Sequence, residues 1–127
     1  MSERSTVEGT MHIGAVAERT GLSLRTLRHY DEVGLLPPTG RTEGGFRLYT
    51  EADVERLLLI RRMKPLGFTL EETGELLALV DELSTGEASA TARPRLEEFV
   101  GRALEQRAEL AKKLAMADEF IALLQSR

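Results

Sequence analysis

The chain has 127 residues, 42% of them hydrophobic and 30% charged, with a formal net charge of −4 and no cysteine. Disulfides, thiolate metal sites and thiol redox sensing are therefore excluded, and no apolar run approaches the roughly 20 residues of a membrane span. A fold of this size buries only about two-thirds of the surface its unfolded chain exposes, so a partner chain would add useful burial.

Residues 1–10, MSERSTVEGT, are polar, lack the apolar stretch of a signal peptide and read as the disordered tail of a cytoplasmic protein. Ile13, Val16, Ala17 and Thr20 then share one helical face, with Gly21 placed to cap the helix. Ser23 is placed to cap a second helix carrying Leu24, Leu27 and Tyr30, which closes at Gly34. Two short amphipathic helices joined by a tight turn containing Gly form the helix-turn-helix pattern, in which the second helix enters the major groove. Pro37, Pro38, Gly40, Gly44 and Gly45 break helix, while Phe46, Leu48 and Tyr49 favour strand, so residues 39–49 read as a β-hairpin or extended wing. Thr50 and Asp53 open a third helix with Val54, Leu57, Leu58 and Arg61 along one face, and it should stop near Met63 because Pro65 and Gly67 follow. Thr69 and Glu72 form a capping box for a fourth.

Residues 84–94, STGEASATARP, have the composition of a linker. Beyond them Leu96, Val100, Ala103, Arg107, Leu110, Leu114, Ala117, Ile121 and Leu124 recur in steps of four and three, a heptad seam. A helix over residues 95–125 would be on the order of 45 Å long. That is too long to bury itself against so small a domain, so it is expected to pair with another chain. Arg107 within the seam either sets register or extends its charge into water. Charge is segregated along the chain. Residues 12–70 hold nine Lys or Arg against seven Asp or Glu, whereas from residue 71 onward seven bases face twelve acids. A basic face in the first half is compatible with nucleic acid despite the negative total.

The ordered motifs IGAVAERTGLSLRTLRHYDEVGLLPP, RTEGGFRLYTEADVERLLLI and LGFTLEE, from about Met11 to Leu83, resemble the DNA-binding domain of MerR-type transcriptional regulators. The resemblance implies a mainly α fold with a small β wing. A winged helix-turn-helix domain over residues 11–83 would be followed by the linker and by a dimerisation helix over 95–127, forming an antiparallel coiled coil in the dimer. It also implies a sequence-specific homodimer on a pseudo-palindromic promoter element, acting by DNA distortion, with RNA polymerase as a further partner.

Candidate contacts follow residue by residue. Arg25 and Arg28, three apart on the second helix, can both face a groove, where Arg pairs with guanine or clamps phosphate. Ser23 and Thr26 can donate to phosphate, unless Ser23 is only a cap. His29, which stands where the family carries an aromatic, is either a groove contact or a neutral surface histidine. Tyr30 is expected to pack its ring and turn its hydroxyl outward. Arg41 and Arg47 flank a Gly-rich tip suited to phosphates. Phe46 lies near that tip, and Tyr49 is expected at the wing base with its hydroxyl available. Lys64 matches the family's second wing, where a base approaches phosphate; Arg61 and Arg62 before it are expected to share that role, unless one of them lies along the core.

Asp31 and Glu32 are not a catalytic carboxylate pair, because adjacent helical residues point about 100° apart and no nucleophile accompanies them. No enzyme activity, metal or cofactor is expected, since His12 and His29 are the only imidazoles and the cysteine ligands of metal-responsive relatives are absent. With the chain ending at Arg127, no separate ligand-binding domain is expected. An effector would bind near residues 81–95, with Phe99 and Phe120 reading as packing residues, or activity would be set by abundance alone. The alternative to a regulator is a coiled-coil interaction module that keeps a winged-helix scaffold without reading DNA, as the acidic total allows.

Overall fold

A computed structural model describes residues 9–86 and 89–127. The elements run β1 (Thr10–His12), α1 (Ile13–Thr20), α2 (Leu24–Glu32), β2 (Gly40–Arg41), β3 (Arg47–Thr50), α3 (Glu51–Met63), a 3-10 turn (Lys64–Leu66), α4 (Leu70–Thr85) and α5 (Ala92–Gln125). Two compact units divide between Gly74 and Glu75, inside α4 rather than in the connection expected over residues 84–94.

In the first unit the helix starts lie where the side chains can cap them. Ser23 Oγ accepts the Thr26 N–H at 3.0 Å and opens α2. Thr50 and Asp53 exchange side-chain and backbone hydrogen bonds of 3.2 and 2.9 Å and open α3. Thr69 and Glu72 do the same at the start of α4, at 3.1 and 2.9 Å. The sheet order is β1-β3-β2, antiparallel throughout. Its outer strand β1 corrects the expected tail: Thr10, placed there by composition, pairs with Thr50, and Met11 with Tyr49. Residues 1–8 of that tail lie outside the described residues. The central strand β3 buries both Leu48 and Tyr49. Successive strand residues point to opposite faces, so the middle of the sheet is covered on both sides. Val16, Leu27, Tyr30, Leu36, Val54, Leu57, Ile60 and Met63 complete this core.

In the second unit α5 starts at Ala92, three residues before the expected Arg95, with Pro94 in its first turn. Proline is tolerated there because a first-turn N–H has no acceptor within the helix. Since α4 continues to Thr85, the connection shrinks to residues 86–91. Arg95 donates to both oxygens of Glu75, at 2.5 and 2.8 Å, and its guanidinium lies 4.7 Å from the ring centroid of Phe99. Phe99 is buried, as a packing residue should be, whereas Phe120 is exposed. The helix is 34 residues long, about 51 Å, and every residue from Leu104 to Arg127 is exposed. Of the heptad seam, only Leu96 and Ala103 are half-buried, while Val100, Arg107, Leu110, Leu114, Ala117, Ile121 and Leu124 face solvent.

Asp53 is buried and accepts from the Thr39 hydroxyl at 2.5 Å as well as from the Thr50 N–H. Replacing it by Ala strands two donors and removes the carboxylate half of the capping box, leaving the Thr50 hydroxyl cap in place. Asp53→Ala should lower stability by about 2 kcal/mol, read as a reduced urea midpoint at unchanged m-value.

Candidate nucleic-acid interface

The turn between α1 and α2 is built around Thr20, which is fully buried. Its hydroxyl donates to Val16 O at 2.8 Å and accepts the Leu22 N–H at 3.2 Å. Gly21 adopts φ 73°, a conformation other residues resist, and its N–H closes α1 on Ala17 O. Arg61 Nη1 donates to the Thr20 carbonyl at 2.9 Å. Sequence reasoning placed Arg61 beside Lys64 as a DNA contact. In the structure its guanidinium caps the end of α1 and braces the turn.

With the turn fixed, α2 presents Arg25, Arg28 and His29 as exposed side chains. Arg25 and Arg28 have no ion-pair partner among the described residues. Ser23 also donates its hydroxyl to Thr26 Oγ1 at 2.9 Å, so the two hydroxyls expected to meet phosphate are linked to each other at the helix start. Tyr30 packs its ring in the core, and at 3% exposure little of the side chain is left to reach outward. Lys64 Nζ lies 5.7 Å from the centroid of that ring, close enough for a cation–π contact. Arg25, Thr26, His29, Tyr30, Glu32, Lys64 and Leu70 line one open hollow of about 640 Å³. The structure thus brings together α2 and the start of the expected second wing.

The first wing is a hairpin closed by a turn over residues 42–45. Gly45 N–H donates to Thr42 O at 2.9 Å and Gly45 takes φ 85°. Phe46 projects from the tip with 68% exposure. Arg41 and Arg47 face each other across β2 and β3, and both are engaged by one carboxylate. Asp31 Oδ2, on α2, accepts Arg47 Nε and Arg41 Nη2, each at 2.8 Å. The Arg47 hydrogen bond, aided by Arg41 and opposed by partial burial, holds the Asp31 carboxyl below its ordinary pKa. A carboxylate depressed in the folded state contributes stability that is present above its unfolded pKa and lost as pH falls through the folded value. Asp31 is the site residue that sequence reasoning missed. Its partners lie 10 and 16 positions away, and only the position of an acid one turn after Arg28 hinted at it.

Tyr49 is the second correction. It is 0% exposed, and its hydroxyl is buried without a hydrogen-bond partner among the described residues. Burial pushes its pKa up. The hydroxyl expected to be available at the wing base is therefore turned inward, and Tyr49 serves the core.

A helix-turn-helix with a capped, cationic second helix, an Arg-bearing hairpin beside it and a lysine at the next helix end defines a winged DNA-binding protein. The chain belongs to the MerR family of DNA-binding transcription regulators. Residues 11–79 match the model of the MerR HTH family regulatory protein, and residues 54–126 match the MerR DNA-binding model. It is 35% identical over 120 residues to the HTH-type transcriptional regulator CueR of Salmonella typhimurium, covering 91% of this chain and 80% of that one. It is 46% identical over 69 residues to the mercuric resistance operon regulatory protein of Bacillus cereus, covering 54% of this chain and 52% of that one, so this match spans about half of the relative's length. The crystal structure of HiNmlR, a MerR family regulator lacking the sensor domain and bound to promoter DNA, superimposes with a TM-score of 0.69 at 32% identity, covering 92% of this chain and 91% of that one. The reading of the chain as a scaffold that does not bind DNA is set aside by this membership.

An unpartnered buried hydroxyl carries its desolvation cost with no return. Tyr49→Phe should leave DNA affinity unchanged and hold or raise stability by up to about 1 kcal/mol, checked by thermal unfolding and a binding titration.

Proposed function

We propose that this regulator works as a homodimer whose α5 helices pair along the heptad seam as an antiparallel coiled coil, setting two recognition helices on a pseudo-palindromic promoter element. The observation that carries the dimer is the run of exposed apolar seam side chains, with Val100 46%, Leu110 43%, Leu114 64%, Ile121 50% and Leu124 58% exposed. A helix of that length with such a stripe is stable in water when a second helix covers it. The observation that carries DNA reading is the pair Arg25 and Arg28, exposed and without ion-pair partners among the described residues, on a helix capped at its entry to the groove. Arg28 reads base edges. Ser23, Thr26 and Lys64 hold phosphate, with the outer face of Arg41 doing so from the wing.

In this reading the regulator changes promoter geometry by distorting the duplex, and through that distortion alters access for RNA polymerase. No helix among the described residues is long and apolar enough to cross a membrane, in keeping with a cytoplasmic site of action. The 127 residues hold no cysteine, so the chain itself offers no thiolate ligands to a soft metal inducer.

Footprinting on promoter DNA with a salt series tests this reading. Arg28→Ala should cost about 1–3 kcal/mol, concentrated at one base pair of each half-site, while Lys64→Ala should weaken all sequences alike and reduce the salt slope by about one per subunit. No protection on any promoter fragment at low salt would sink the proposal. Independently, Leu114→Glu should shift the protein from dimer to monomer in analytical ultracentrifugation, and a dimer unaffected by that charge would rule out the seam.

A further inference from the structure

A carboxylate on the DNA-facing helix stands in an unfavourable field, since every phosphate nearby repels it. Asp31 is nevertheless there, one turn after Arg28, and its side chain is 14% exposed. It holds both strands of the first wing at once. A single oxygen accepts from Arg47 on β3 and Arg41 on β2, and Arg41 Nη1 continues to the Gly45 carbonyl at 3.3 Å. A chain of charge-assisted and backbone hydrogen bonds therefore runs from the recognition helix through the wing to its tip turn. Side-chain exposure is unequal along it. Arg47 is 24% exposed and Arg41 46%, so Arg47 is the anchored member and Arg41 the one with an outer face left for a phosphate. Strand β2 is only two residues long, and so short a hairpin supplies little stiffness of its own.

We propose that Asp31 is the positioning residue that fixes the spacing between the recognition helix and the wing, making sequence-specific recognition depend on a carboxylate that does not itself touch DNA. The inference rests on the reading that α2 and the wing meet the same duplex. With the clamp in place, Arg28 reaches a base only where Arg41 also reaches its phosphate, and a wrong register loses both contacts together. Without it the wing moves independently, and its cations serve any sequence equally.

The test compares wild type, Asp31→Asn, Asp31→Glu and Arg28→Ala as purified full-length proteins on the footprinted operator and on a scrambled duplex of equal length, across a salt series. Asp31→Asn should lower the specific-to-non-specific affinity ratio by about tenfold or more, comparable to one mismatched base pair. Its affinity for the scrambled duplex should stay at or above wild type, because a negative charge has been removed. Asp31→Glu keeps the charge and displaces the clamp by one methylene, so its ratio should fall part of the way at a wild-type salt slope. It carries the test if the Asn variant does not fold. In an Arg47→Gln background, where only the Arg41 contact remains, Asp31→Asn should change the ratio by less than it does in wild type. An unchanged ratio in the Asp31 variants, with operator and scrambled affinities rising together or neither moving, would overturn the positioning role and leave Asp31 as a competitor for the arginines or an inert neighbour. If Arg28→Ala also leaves the ratio unchanged, the reading of α2 as the base-contacting helix falls, and the clamp proposal falls with it.

Discussion

The angle at which α2 leaves α1 hangs on the buried hydroxyl of Thr20. A hydroxyl inside a core is costly unless it both donates and accepts, and this one is satisfied only by the particular backbone path that carries Leu22 past it. Gly21 makes that path possible, and Arg61 occupies the carbonyl that the end of α1 would otherwise leave without a partner. The other parts of the interface are placed by consequence. Once α2 is aimed, Tyr30 enters the core, Lys64 comes to rest over its ring, and Asp31 meets the two wing arginines.

Two kinds of electrostatic arrangement coexist on this surface. Arg25 and Arg28 are solvated cations whose charge is available to an incoming polyanion. Arg41 and Arg47 are already neutralised in part by Asp31, and Arg19 is engaged by both oxygens of Glu51. Counting basic residues would overstate the charge that the interface can offer. What matters is which guanidinium groups have a carboxylate within reach.

What was legible in the sequence was local. Ser23 and Thr26, Thr50 and Asp53, and Thr69 and Glu72 are each three residues apart, so the capping chemistry that starts α2, α3 and α4 is visible as spelling. The heptad seam is likewise a periodicity, although composition alone misplaced the start of α5 because a proline in the first helical turn looks like a proline in a loop. The pairings that escaped notice are distant: Thr10 with Thr50, Asp31 with Arg47, and Arg61 with Thr20 across 41 positions. Tyr49 shows the same limit in another form. An aromatic with a polar tip suits both a core and a contact surface, and only the elements packed against β3 decide between them.

The three side-chain caps have an effect that reaches beyond helix stability. Because Ser23, Thr50 and Thr69 start their helices from residues close in sequence, α2, α3 and α4 do not wait for a ligand in order to form. A protein ordered before encounter loses little conformational entropy on binding and has little slack with which to accommodate a mismatched surface. The adjustment in such a pairing falls on the more compliant member. Here that member is the double helix, whose own stiffness then becomes part of what the protein selects.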